Sequence, residues 1–424
     1  MGGLGRRVRQ LRRQRGLTQA ELGSPLFTHS YVSQIESGKR DASPRALAHI
    51  AGRLGVATDE LVTGRPADLA HELGVRITEA RRLLSSGKMD EARALYEGAA
   101  REAEEWDLPR IEAQASHGIG LCLERSERWD DAIEVYESAE ERLGGGSPDV
   151  YADLLSARAR CLVYQGDIGL AMYLLDRTVR DLEHRGIADA LTLVKLYAPL
   201  SFTAMQAGVL SRARQAAARA LELQVEVDDP FTLAVSHINV ARVLLAEGEP
   251  DAAQRAQLKA AEMFDQLGLR LEMGRAHLAY GFTRARVVPD EDARRHLERA
   301  RDIFRDLGAQ LDEAQALVEL GRLARIAGSN ATAVAPLEAA IDIMRMSPHV
   351  PELALAHREL GLALFDTPDL AEKHLRDAAD LFERADAALE TAITYRYLGE
   401  LAESTSGDGC DHFRAAALAI PTEI

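Results

Sequence analysis

From Ala80 to Gly399 the chain keeps a beat of small residues: Ala80, Gly120, Ala159, Ser201, Ala241, Gly281, Gly321, Gly361 and Gly399. Successive members are 40, 39, 42, 40, 40, 40, 40 and 38 residues apart. A second beat follows 12 residues after the first, at Ala92, Ala132, Ala171, Ala213, Ala253, Ala293 and Ala333. A third comes seven residues later, at Ala99, Ala139, Thr178, Ala220, Ala260, Ala300 and Ala340. Self-similarity at a fixed period of this length signals a stacked repeat. A small residue on each of two helices lets their backbones approach, and each unit covers the apolar face of the next. The fold class that follows is all-α.

Working outward from the beat, a large apolar residue usually precedes its first member: Ile119, Leu200, Val240, Tyr280, Leu320, Leu360 and Leu398. Small, then Ala twelve on, then Ala seven after that resembles the tetratricopeptide repeat (TPR) over roughly residues 67 to 420. The period is near 40 where that family has 34, so the helices are read as longer by extra turns. In the eighth unit the offset shrinks to ten, from Gly361 to Ala371. The resemblance implies a right-handed TPR-like α-solenoid of about nine helical hairpins. Their expected spans are 67–105, 109–143, 147–184, 187–226, 229–267, 270–307, 310–346, 350–384 and 387–420. Gly87, Gly166, Gly208, Gly248, Gly328 and Gly407 fall between paired helices. Pro109, Gly144–Pro148, Asp229-Pro230 and Ser347-Pro348 fall between pairs. Pro199 is expected to kink its helix or delay its start.

At 424 residues an array or two domains are expected. Residues 1–65 hold 11 Lys+Arg against 5 Asp+Glu, whereas the whole chain carries −16. A small basic module on an acidic body places polyanion contact at the N-terminus. Cys122, Cys161 and Cys410 have no paired spacing and read as free buried thiols of a reducing cytoplasm. No apolar run nears the ~20 residues of a membrane span, no signal peptide is evident, and Arg6 stands where a myristoylation signal wants Ser or Thr.

Residues 4–15 read as a basic amphipathic helix, with Leu4, Val8 and Leu11 on one face and Arg6, Arg9, Arg12, Arg13 and Arg15 around the rest. Gly16 ends it. Thr18 and Glu21 form a capping box, Thr28 caps a third helix that stops at Gly38, and Ser43-Pro44 opens a fourth. Leu47, Ile50, Ala51 and Leu54 form its apolar face. Thr58 is expected to cap a fifth helix running through Leu61. This wording, Gly16-Leu17-Thr18-Gln19-Ala20-Glu21-Leu22 followed by Tyr31-Val32-Ser33-Gln34-Ile35-Glu36-Ser37-Gly38-Lys39-Arg40, resembles the Cro/C1-type, lambda-repressor-like helix-turn-helix domain. The link from Gly23 to Phe27 is irregular.

A recognition helix puts its N-terminal residues on base edges in the major groove. Those residues here are Thr28, His29, Ser30, Ser33 and Gln34; Gln reads adenine in bidentate fashion. The resemblance puts Gln19 on a phosphate. Lys39, Arg40 and the Arg cluster of the first helix are expected to position without specifying. Val32 and Ile35 are core by spacing, and Tyr31 fits either role. Such modules work as dimers on two half-sites, and the repeats are the expected dimer contact.

The expected division is residues 1–64 for DNA, 65–67 as linker and 68–424 as a repeat domain for ligand sensing and dimerisation. In the TPR pattern the residue after the small one points into the concave face. That position reads Arg81, Leu121, Arg160, Phe202, Arg242, Phe282, Arg322 and Leu362, alternating basic and apolar as an extended peptide would require. Asn239, Arg275 and Arg286 join them. Asn239, mid-helix where Asn is a poor former, either clamps a peptide unit or bonds to a neighbouring helix. The Arg and Phe side chains either meet a ligand or pack between repeats.

His237, His277 and His357 recur at one repeat position, too far apart for one metal ion given helix spacing; packing is the expectation, with no metal or cofactor. No catalytic constellation is evident. Ser86-Gly87-Lys88 lacks the earlier glycine of a phosphate loop, Gly118-Ile119-Gly120 follows no strand, and His71-Glu72 lacks the second histidine of a zinc-protease helix. Asp130-Asp131 look like helix caps.

The two resemblances together are similar to the peptide-pheromone-responsive bacterial regulators called RRNPP. They imply a cytoplasmic, dimeric, sequence-specific transcription regulator, not an enzyme. Its partners would be operator DNA and a short signalling peptide of the quorum-sensing kind in the concave face. The alternative is a TPR regulator or scaffold that binds a partner protein or an anionic small molecule. Activation or repression is not legible.

Overall fold

The computed structural model describes residues 3–66, 68–144, 146–186, 189–345, 350–385, 387–405 and 409–419. Among the described residues the regular elements are all helical. The head is α1 (Gly3–Gln14), α2 (Gln19–Gly23), α3 (His29–Glu36), α4 (Pro44–Leu54) and α5 (Thr58–Thr63). Its helix starts follow local chemistry. The Thr18 N–H donates to Glu21 Oε2 at 2.7 Å, and the Glu21 N–H donates to Thr18 Oγ1 at 3.2 Å. Ser43 accepts from the Ala46 N–H, with Pro44 in the first helical turn. The fifth start differs from expectation. Ala57 stands at the cap with no side-chain bond, and the helix continues to Thr63. Asp59 and Glu60 in its first turn suit the positive end of the helix instead. Val8, Leu22, Val32, Ile35, Ile50, Ala51, Leu54 and Leu61 form one buried cluster.

Among the described residues the array follows as nine hairpins: α6 (Leu69–Ser85) with α7 (Met89–Glu105), α8 (Pro109–Arg125) with α9 (Trp129–Leu143), α10 (Pro148–Tyr164) with α11 (Ile168–Arg185), α12 (Ala190–Gln206) with α13 (Leu210–Leu223), and α14 (Pro230–Ala246) with α15 (Pro250–Gln266). Then come α16 (Arg270–Val287) with α17 (Glu291–Leu307), α18 (Gln310–Ile326) with α19 (Asn330–Met344), α20 (Val350–Ala363) with α21 (Pro368–Arg384), and α22 (Ala388–Thr405) with α23 (Cys410–Ala419). The glycines at 87, 166, 208, 248 and 328 turn these hairpins with positive φ, which a side chain would strain. Gly407, Gly145, Ala67 and Ser347-Pro348 lie outside the described residues.

The beat of small residues is where paired helices touch. A Cβ on Gly120 would lie 2.2 Å from the Tyr136 ring, and one on Gly321 would lie 2.4 Å from Leu337 Cγ. Second-beat alanines are fully or almost fully buried. Two details depart from the pattern. In the third unit Val179, not Thr178, takes the buried third beat. In the last two units the second helix enters earlier, so that Gly361 meets Ala371 and Leu375 while Gly399 meets Phe413. Asp130 and Asp131 lie in the first turn of α9 rather than capping it. Asp131 pairs with Arg128, and Asp130 accepts from Gln165. Cys122 and Cys161 are buried free thiols as expected, but Cys410 is exposed at the start of the short last helix.

Helix α12 starts at Ala190 and runs through Pro199. Proline cannot donate to the carbonyl four residues back; the Ser156 hydroxyl of α10 donates to that Lys195 carbonyl at 2.7 Å. First helices of successive hairpins pack on one another, as α8 on α10, α10 on α12 and α12 on α14. They form the inner layer of the curve. The curve returns on itself, because the end of α6 meets the start of α16.

Candidate functional site

Two regions gather the functional side chains. On the head, Thr28 accepts from the Tyr31 N–H and so starts α3. Thr28, His29 and Ser30 stand exposed at that end, Ser33 and Gln34 are half-buried one turn on, and Lys39 and Arg40 are exposed beyond the helix. The expected base-reading residues thus lie along α3 from its start, with Lys39 and Arg40 just past its end. Tyr31 resolves as a platform. Its ring stacks on Phe27 at 5.0 Å, and the Arg40 guanidinium lies over it at 4.6 Å. Arg40 is thus held flat by a cation–π contact.

Arg12 corrects an expectation. It does not join the phosphate-facing cluster, because its guanidinium forms a two-pronged bond to Glu36, with side-chain exposures of 12% and 4%. Gln19 donates to the same carboxylate at 2.9 Å. This network ties α1, α2 and α3 together. Burial alone would raise the Glu36 carboxyl, but the bonds from Arg12 and Gln19 outweigh it and hold it below the usual carboxylate range. The signal in the sequence was an acid on the otherwise apolar face of Val32 and Ile35. Arg7 was also missed: it donates to the Leu61 and Val62 carbonyls at the end of α5.

In the array, the expected ligand residues divide by partner. Arg160 is bidentate to Glu124 at 2.7 and 2.8 Å, and Arg275 is bidentate to Asp312 at 2.7 and 3.0 Å. Arg286 lies over the Phe282 ring and reaches Glu319 at 3.2 Å. Arg322 sits 3.9 Å from Glu359, which Arg325 already holds at 2.7 Å. Arg242 is different. Its guanidinium lies 4.3 Å from the centroid of Phe202, and it pairs with no acid among the described residues. It is exposed by area, yet burial is the first reason its pKa falls, with the charge of Arg275 a lesser one. Arg242 lies on α14, in the stacked layer of first helices, and so on the wall of the hollow they curve around, the bore. Asn239, three residues before Arg242, is half-buried, and its amide makes no hydrogen bond among the described residues. Among the described residues Asn239 therefore makes no bond to a neighbouring helix.

The bore is closed by contacts between distant hairpins. Ser85 and Arg125 both bond to Glu272, and Arg81 lies 4.8 Å over Phe231. Burial pushes the three recurring histidines down to about 4 in each case. They do not converge. His277 meets His296 and His357 meets His374, each within its own hairpin, while His237 Nδ1 has no partner among the described residues.

Residues 3–63 match a helix-turn-helix domain family. An uncharacterized HTH-type transcriptional regulator of Sinorhizobium fredii is 39% identical over 61 residues, 14% of this chain and 79% of that relative. Among solved structures, a Rap protein complexed with competence and sporulation factor is similar over 80% of this chain and 99% of its own, at 17% identity and a TM-score of 0.52. A signal transduction ATPase with a tetratricopeptide repeat sensor, from Pyrococcus horikoshii, is similar over 85% of this chain and 56% of its own, at 15% identity and a TM-score of 0.52. These two likenesses concern the fold. No helix among the described residues is long and apolar enough to cross a membrane.

Proposed function

We propose that this chain, which belongs to the helix-turn-helix transcriptional regulators, couples its grip on operator DNA to a short peptide held in the bore of its repeat array. In this reading residues 1–64 bind DNA, 65–67 link, and 68–424 sense and dimerise. Thr28, His29, Ser30, Ser33 and Gln34 read bases, while Gln19, Lys39 and Arg40 hold the backbone. The protein acts in the cytoplasm as a homodimer and is not an enzyme. The Rap protein with the similar array holds a factor, competence and sporulation factor, which supports a ligand role for the array.

One observation carries the ligand assignment: among the described residues Arg242 has no acid partner and the Asn239 amide no hydrogen bond, and the two lie on one inner helix beside the face of Phe202. A guanidinium that no acid holds suits an anion, and an amide that makes no hydrogen bond within the protein suits a peptide unit. Arg160, Phe282, Arg275, Arg286 and Arg322 line the same inner helices and complete the contact. The test exposes the tag-free protein to a pool of short random peptides and reads the retained species by mass spectrometry. Retention that disappears in Arg242→Ala supports the reading; equal retention by both proteins overturns it. The nearness of Arg275 to Arg242 favours a second reading, an anionic small molecule. Retention of small anions in place of any peptide would select it.

A further inference from the structure

In the eighth hairpin, His357 of α20 and His374 of α21 place their Nδ1 atoms 3.0 Å apart. Asp377, one turn beyond His374, puts Oδ2 3.6 Å from His357 Nδ1. All three ligand atoms lie within 4.8 Å of one another. We propose that His357, His374 and Asp377 form a binding site for a divalent transition-metal ion of the zinc class, which clamps α20 to α21.

Two imidazoles and one carboxylate are the donor set that zinc takes in three-ligand sites, with a fourth position left for water. Tetrahedral ligands at zinc distances stand about 3.4 Å from one another. The two spacings at His357, 3.0 and 3.6 Å, bracket that value, and the carboxylate is the more exposed member, at 44% against 14% for His357. His357 and His374 reach one another from facing helices of one hairpin, so both rings present a nitrogen to the same point. Lys373 and Arg345 add positive charge nearby and Glu338 adds negative charge, but Asp377 is in no Lys or Arg ion pair among the described residues.

The sixth hairpin supplies an internal comparison. There His277 and His296 also meet through Nδ1, at 2.9 Å. The nearby carboxylate, Asp292, is already taken by the Tyr280 hydroxyl at 2.6 Å and by Arg295 at 2.5 Å. That pair is a hydrogen bond between rings with no free third ligand among the described residues. The eighth hairpin has the third ligand, and no reading of the array as a peptide groove requires it.

The test uses the tag-free, chelator-stripped full chain and cobalt(II) as a spectroscopic stand-in for zinc. The expected result is one equivalent of cobalt with the intense visible absorption of a tetrahedral site, displaced by zinc. His374→Gln should abolish that absorption, and Asp377→Asn should weaken cobalt binding by about tenfold or more. His296→Gln, in the comparison hairpin, should leave the absorption unchanged. Circular dichroism verifies folding of each variant; if His374→Gln is unfolded, Asp377→Asn decides. No visible band, a band unaffected by the deciding variant, or a band lost in His296→Gln overturns the proposal and leaves the ring-to-ring hydrogen bond as the whole account.

Discussion

The Ser85 hydroxyl donates to Glu272 Oε2 at 2.5 Å across 187 residues of chain. The same hydroxyl accepts from the Leu271 N–H at 3.3 Å. The first hairpin thereby meets the sixth, and Gly87 lies so close that a Cβ there would be 2.4 Å from the Leu307 carbonyl. These contacts bring the array back on itself, so that its inner helices curve around a hollow. A ligand that opened or tightened this seam would change the whole curvature, since it must bind the two forms unequally.

Ser85→Ala should cost about 1–3 kcal/mol, the loss of a hydrogen bond to a charged group in a buried seam. Gly87→Ala should act more strongly, because positive φ and the carbonyl contact both oppose it. Small-angle scattering should show Gly87→Ala expanded relative to the parent. An unchanged profile would mean that hairpins one and six do not touch in solution.

Two glycine substitutions should have opposite signs. Gly98 has open space around its position, so Gly98→Ala should stabilise by about 0.5–1 kcal/mol through helix propensity. Gly120→Ala gains the same propensity but drives a methyl against Tyr136. Overpacking of about 1–3 kcal/mol should win. Denaturant melts of both proteins measure the difference.

In the head, Glu36→Ala leaves Arg12 buried without its acid and should cost about 3–5 kcal/mol. The sign with pH follows from the depressed carboxyl of Glu36. Its contribution is full above the ordinary glutamate range and is lost as pH falls through the lower folded value. The stability advantage of the parent over Glu36→Gln should therefore persist at neutral pH and shrink in acid. Melts of the two proteins across that range test it, and an advantage that grew in acid would contradict the network.

On DNA, Gln34→Ala should relax base preference by about 1–3 kcal/mol at one position, while Arg40→Ala weakens all sequences alike. Tyr31→Ala should resemble Arg40→Ala, because the ring holds that guanidinium in place. Competition with selected and random duplexes separates the two patterns. Equal losses on both duplexes for Gln34→Ala would remove it from the base-reading set.

The hairpins were legible because each hangs on a steric requirement written in residue size, as at Gly120 against Tyr136 and Gly321 against Leu337. The head was legible because capping is local, as at Thr18, Thr28 and Ser43. Partnership over long separations was not. Nothing near Arg160 or Arg275 in the sequence says that Glu124 and Asp312 will hold them, or that Arg242 will go without an acid. The seam at Glu272 depends on how far small rotations accumulate over several units, and no single repeat records that sum. The paired histidines escaped for a related reason: a repeat reading compares equal positions in different units, and their partners lie within one unit.

The central claim is coupling between the bore and the head. It is tested most directly by the Kd for a duplex chosen by random-oligonucleotide selection, measured with and without the retained ligand. The account predicts a change of about fivefold or more for the parent protein and none for Arg242→Ala. A Kd that the ligand leaves unchanged in the parent, or shifts equally in both, would contradict it.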